Sequence, residues 1–174
     1  MKTKTEQILE VMKILAWVAA IGYAIEAGVI LISYGMSCVN PEGAKNLYKG
    51  LNFYDLMRFS FWHYTLSVSF MVLLSAMKSY VWFLVISTIS KINLLNPFKM
   101  EVAQKLERIS YVLFGTWLVA MLAGAQTAWV MQITGKLYGN WVSGEFIFIA
   151  GLVFIISQIF KRGIEIQSEI DLTV

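Results

Sequence analysis

The chain is poor in the residues that build most active sites. Its 174 residues include one cysteine, one histidine and two prolines, and only 14% are charged. A lone Cys38 excludes an internal disulfide and any dithiol redox cycle. With His63 as the one histidine, a zinc centre or a bis-histidine haem lacks its ligands. There is no Gly-rich phosphate loop and no G-x-S-x-G elbow. The remaining polar residues assemble no nucleophile, base and orienting group. No catalytic residue, metal ligand set or cofactor is therefore expected, and the expectation is a protein that is not an enzyme.

What is present is apolar length. The chain is 58% hydrophobic with a mean hydropathy of +0.66, whereas a soluble domain carries about a quarter charged residues. Residues 59–90 form an almost unbroken apolar run whose one full charge is Lys78. A run of this kind is explained by a membrane-crossing helix, because backbone groups in lipid must be satisfied within the segment. Three more runs follow the same logic: 14–34, 109–134 and 141–160. The first is read as a retained span, since its apolar stretch is too long for a signal peptide and lacks a small-residue cleavage site. Ala16, Ala20, Ala24 and Gly28 give that span a small-residue face suited to close helix contact, and Ala120, Gly124 and Ala128 do the same for the third.

The connections carry their own signals. Asn40-Pro41 reads as a cap followed by proline at a first helical position. Beyond it, Tyr48, Phe53 and Tyr54 interleave with Lys45, Lys49 and Arg58, a pattern of segments in the membrane interface. Residues 97–108 read as an amphipathic segment that feeds directly into the third span. Lysine and arginine placement orients the whole. One side holds Lys2, Lys4, Lys13, Lys91, Lys99, Lys105, Arg108, Lys161 and Arg162; the other holds Lys45, Lys49, Arg58 and Lys136. The positive-inside rule puts both termini in the cytoplasm. The fold expected is an all-α integral membrane protein, a bundle of four transmembrane helices in one membrane domain.

Charges inside such spans are costly and so are candidate functional residues. At 1.5 Å per residue, Glu26 and Lys78 each lie roughly 20 Å from the cytoplasmic surface and Glu145 roughly 24 Å. Glu26, Lys78 and Glu145, with Gln126, form the expected intramembrane polar cluster. Pairing of Glu26 with Lys78 stands beside the plainer alternative that Lys78 snorkels to headgroups. Gln126 reads as a helix–helix hydrogen-bonder, and His63 as an interfacial residue beside Trp62 and Tyr64.

Residues 161–174 read as a polar cytoplasmic tail beyond a fourth span that ends at Lys161-Arg162-Gly163. Ile164, Ile166, Ile170, Leu172 and Val174 alternate with Glu165, Gln167, Glu169, Asp171 and Thr173. That period of two predicts an extended strand, with continued helix as its competitor. The strand either docks on residues 98–108, with Glu169 or Asp171 near Lys105 or Arg108, or adds to a partner. The expected partner-binding residues are Phe98, Lys105, Arg108, Glu165, Glu169, Asp171, Leu172 and Val174.

The stretch from Ile159 to Gln167, followed by Glu169 to Val174, resembles a bacterial membrane-protein family catalogued as domain of unknown function 2975. So do Asn96-Pro97-Phe98 and the Leu106-Glu107-Arg108-Ile109 entry to the third span. Ile170 departs from the family pattern, which has Asn between Glu and Asp. The resemblance implies four spans in a bacterial inner membrane and, as partner, a small Cro-like helix-turn-helix regulator often encoded alongside. It carries over no catalytic residue. The function expected is a non-enzymatic membrane tether or modulator of that regulator, in contact with lipid, without direct nucleic-acid binding and with homo-oligomerisation open. The alternative is a small proton- or ion-coupled exporter using Glu26, as in small multidrug exporters. Those chains are much shorter, and Lys78 at the same depth would neutralise the coupling acid.

Overall fold

The computed structural model describes residues 3–92, 98–136, 138 and 144–171, the last two of these by backbone alone. The described chain is helical: α1 (Lys4–Val39), a 3-10 turn (Pro41–Asn46), α2 (Tyr54–Phe59), α3 (Phe61–Ile89), α4 (Met100–Thr134) and α5 (Glu145–Asp171). Among the described residues, four helices are long and apolar enough to cross a membrane, namely α1, α3, α4 and Glu145–Glu169 of α5.

Helix boundaries follow local chemistry. Helix α1 starts earlier than its apolar run because Thr3 and Glu6 cap each other. The Thr3 N–H donates to Glu6 Oε2 at 2.7 Å and the Glu6 N–H to Thr3 Oγ1 at 3.3 Å. Asn40 closes the far end and opens the 3-10 turn, accepting from the Glu42 N–H at 3.1 Å, with Pro41 in the first turn. Ser60, in extended conformation, separates α2 from α3. The expected amphipathic segment and third span are one continuous helix, α4. Gly135 at φ 69 ends it, its N–H on the Met131 carbonyl at 2.8 Å.

The chain divides into two compact units. The first comprises Met1–Ala20, Tyr80–Gly115 and Gly144–Val174. Ala16 and Ala20 are fully buried against Trp82, Val85 and Ile86, so this part of the small-residue face serves close packing of α1 on α3. Leu84, Ile109, Leu113 and Ala150 join α3, α4 and α5.

The tail corrects the sequence expectation. Residues 161–171 are helix, continuous with α5, and Gly163 lies inside that helix. A helix already nucleated by the preceding turns propagates at one hydrogen bond per residue, while a lone strand has no ladder to join. Glycine there is no stop signal. A Cβ at Gly163 would come 2.7 Å from Phe98 Cδ1 and 2.8 Å from its Cε1, so the absent side chain is what lets the Phe98 ring approach. Leu172 and Val174 lie outside the described residues, as do Asn96-Pro97 and Trp141.

The second unit comprises Ile21–Ser79 and Thr116–Ser143. The aromatic-rich connection does more than lie along an interface. It folds back so that Ala44, Leu47, Phe53 and Leu56 are buried with Ile30, Tyr64, Val68, Met71, Val130 and Tyr138. The Phe53 N–H donates to the Ala44 carbonyl at 2.8 Å, and a tight turn is closed by Leu51 N–H on the Tyr48 carbonyl at 2.8 Å. Its two central residues, Lys49 (φ 46) and Gly50 (φ 81), both take positive φ. Tyr64 and Ser37, both buried, hydrogen-bond at 2.6 Å.

Candidate functional site

Three of the four expected intramembrane polar residues fall in the second unit. The Glu26 carboxylate accepts from Ser75 Oγ at 3.2 Å. Lys78, one turn along α3 from Ser75, places its ammonium 5.5 Å from the centroid of the Tyr23 ring, a cation–π distance. Tyr23 in turn precedes Glu26 by three residues, on the same face of α1. Ser75 thus contributes a hydrogen bond to this acid, and the Tyr23 ring a contact to this base. A third charge comes from the connection. The Lys49 ammonium is held above its ordinary pKa, chiefly by its contact with Tyr48 and also by the nearby Glu26 and Tyr23. The turn thus brings Lys49 toward the Glu26 face of α1, which no spacing in the sequence announces.

Gln126 is a helix–helix bonder. Its Nε2 donates to Ser67 Oγ at 3.0 Å and to the His63 carbonyl at 3.5 Å, tying α4 to α3. The His63 ring packs on Trp129 with centroids 4.6 Å apart. His63 Nδ1 is buried without a hydrogen-bond partner among the described residues. Glu145 is placed in the first unit, exposed in the first turn of α5, where a carboxylate complements the helix dipole.

Those of the expected partner-binding residues that are described fall in the first unit, with Leu172 and Val174 outside the described residues. Phe98 packs against Phe160 with centroids 5.4 Å apart and the rings tilted by 55°. Lys161 donates to Glu107 at 2.8 Å, with both side chains mostly covered. These contacts fasten α5 to α4. Lys105 reaches Ser87 and Arg108 lies 5.9 Å from the Tyr80 ring centroid, so both turn to α3. Glu165 pairs with Arg162 at 2.7 Å. The Glu107–Lys161 pair escaped sequence reading. Its signal was an acid inside a basic segment, and the partner's helix needed the antiparallel pairing to be identified.

The arrangement is one of polar contacts between helices, with His63 Nδ1 left over, together with an exposed helical extension on α5. No curated protein and no solved structure matches the chain. The model of one family matches residues 52–174. The chain belongs to that family, the proteins of unknown function designated DUF2975.

Proposed function

We propose that the protein is a non-enzymatic, multi-pass protein of the bacterial inner membrane, with both termini cytoplasmic, that holds or modulates a small helix-turn-helix regulator. Support for the membrane comes from the uncovered apolar surface. Only 22%, 28%, 33% and 11% of the most apolar stretches of α1, α3, α4 and α5 are buried. Side chains such as Val18, Ile25, Phe148 and Ile155 stand exposed. Apolar area on this scale is stable in lipid and aggregates in water.

The observation that carries the tether is the extension of α5. Beyond its apolar stretch the helix runs on to Asp171 and exposes Glu165, Ile166, Ser168 and Glu169. Glu165 and Glu169 are four residues apart and share one face. A DNA-binding regulator is basic, so the exposed acids Glu165 and Glu169 with Ile166 beside them suit it by charge and by groove docking, Arg162 holding Glu165 until a partner competes for it. The choice of a Cro-like regulator follows the family resemblance.

The test is affinity purification from native membranes of the full chain and of Glu165→Arg/Glu169→Arg. The parent should bring down a small basic DNA-binding protein, and the variant should lose it while keeping its melting temperature. A parent without such a partner, or a variant that keeps it, refutes the tether. The exporter alternative moves ahead if Glu26→Gln, still folded, loses a pH-dependent efflux that the parent shows.

A further inference from the structure

The connection between α1 and α3 presents cations on tyrosine rings. Lys45 Nζ lies 5.0 Å and Arg58 Cζ 5.8 Å from the centroid of the same ring, Tyr54. Lys49 Nζ lies 5.0 Å from the ring of Tyr48. Both acids of this connection have cations of their own: Glu42 pairs with Lys45, and Asp55 with Lys136. Arg58 and Lys49 form no ion pair among the described residues, and both are exposed. The positive φ of Lys49 and Gly50 fixes the turn from which Lys49 projects.

Directly after Arg58 the segment becomes apolar and aromatic. Phe59, Phe61 and Trp62 are 55%, 52% and 71% exposed. Meanwhile Phe53 and Leu56 of the same segment are fully buried and anchor it. Exposed cations on a segment that leads into exposed aromatic residues match the two layers of a membrane interface, phosphates above and acyl chains below.

We infer that Lys49 and Arg58, framed by Tyr48 and Tyr54, bind the headgroup phosphates of anionic phospholipids, with Phe59, Phe61 and Trp62 seated among the upper acyl chains. The site rests on the membrane-spanning reading above and adds a lipid preference to it. The charge complementarity selects phosphatidylglycerol-like lipids over zwitterionic ones, whose amine cancels the phosphate. The aromatic edge selects a lipid over a soluble phosphate.

The test uses the full chain in nanodiscs of phosphatidylcholine with and without phosphatidylglycerol, and native mass spectrometry of the lipids that stay bound. The parent should retain phosphatidylglycerol over phosphatidylcholine. Lys49→Gln/Arg58→Gln should cut that preference about tenfold or more, as expected for two cations at an anionic surface. Lys49→Arg/Arg58→Lys should restore most of it, and Lys4→Gln/Lys99→Gln should leave it unchanged. Equal retention of both lipids by the parent overturns the inference, as does an equal loss in the Lys4/Lys99 variant. Displacement by glycerol phosphate also overturns it, because the site then reads a free phosphate. A protein that resists alkaline extraction from vesicles yet shows no preference sinks this inference alone. One that is extracted sinks the membrane reading with it.

Discussion

Changing Gly163 to alanine, with and without Phe98→Ala, tests the seating of the α5 extension on the segment that precedes α4. Alanine in a helix interior is favoured over glycine by about 1 kcal/mol. In the parent, however, the new Cβ would stand 2.7 Å from Phe98 Cδ1, well inside contact distance. The ring must leave, and with it goes the Phe98–Phe160 pair, worth about 0.5–1.5 kcal/mol. Phe98 is 40% exposed, so its partial burial adds a loss of about 1 kcal/mol. The propensity gain is therefore exceeded, and Gly163→Ala alone should lower stability by roughly 0.5–1.5 kcal/mol. In the Phe98→Ala background nothing opposes the gain. There the same substitution should stabilise by about 1 kcal/mol, a rise of roughly 2–4 °C in melting temperature for a chain of this size. The coupling between the two positions is then about 1.5–2.5 kcal/mol, readable from thermal melts of the four proteins in one detergent. Equal shifts in both backgrounds would show that Phe98 does not lie against Gly163, and the reason given for glycine at that position would fail.

Tyr64→Phe should cost about 1–1.5 kcal/mol. Ser37 Oγ lies 2.7 Å from the Tyr34 carbonyl and donates to it, so the Tyr64 hydroxyl is the donor to Ser37 and its loss strands a buried acceptor; a neutral melt would contradict this hydrogen bond. The ion pair with Asp55 raises the Lys136 pKa. Its contribution is complete below the ordinary lysine value of about 10.4 and disappears as pH climbs through the raised one. The parent should therefore melt slightly above Asp55→Asn at neutral pH, by a margin kept small by exposure, and the gap should close in strong alkali. A gap that persists there would assign it to something other than this pair.

Much of the architecture was legible because its physics is local. Long apolar runs without interruption can only be helices if they are to sit in lipid, and residues 109–134 and the amphipathic segment before them merge into α4 as their periodicity suggests. Asn40-Pro41 caps and starts a turn because side-chain acceptor and fixed φ act within a few residues. The tail misled because eleven residues of alternating polarity fit a strand by pattern, whereas the helix before them had already met the nucleation cost. Gly163 looked like a terminator until the Phe98 ring beside it explained the missing side chain. The surroundings of Glu26 were half legible. Ser75 stands one helical turn from Lys78, a spacing readable from sequence, but Lys49 comes near Glu26 through a fold-back that depends on burial of Leu47, Phe53 and Leu56, a long-range packing event with no local code.

Thiol accessibility in intact cells tests the central claim, four crossings with both termini inside, most directly. Cys38 is exposed beyond the apolar part of α1 and should react with an impermeant reagent, as should a cysteine replacing Lys136 in a Cys38→Ser background. Cysteines replacing Thr3, Lys99 or Ser168 in that background should stay unlabelled until the membrane is opened. Labelling at Lys99 or Ser168 from outside would contradict the topology and, with it, the cytoplasmic placement of the α5 extension on which the tether depends.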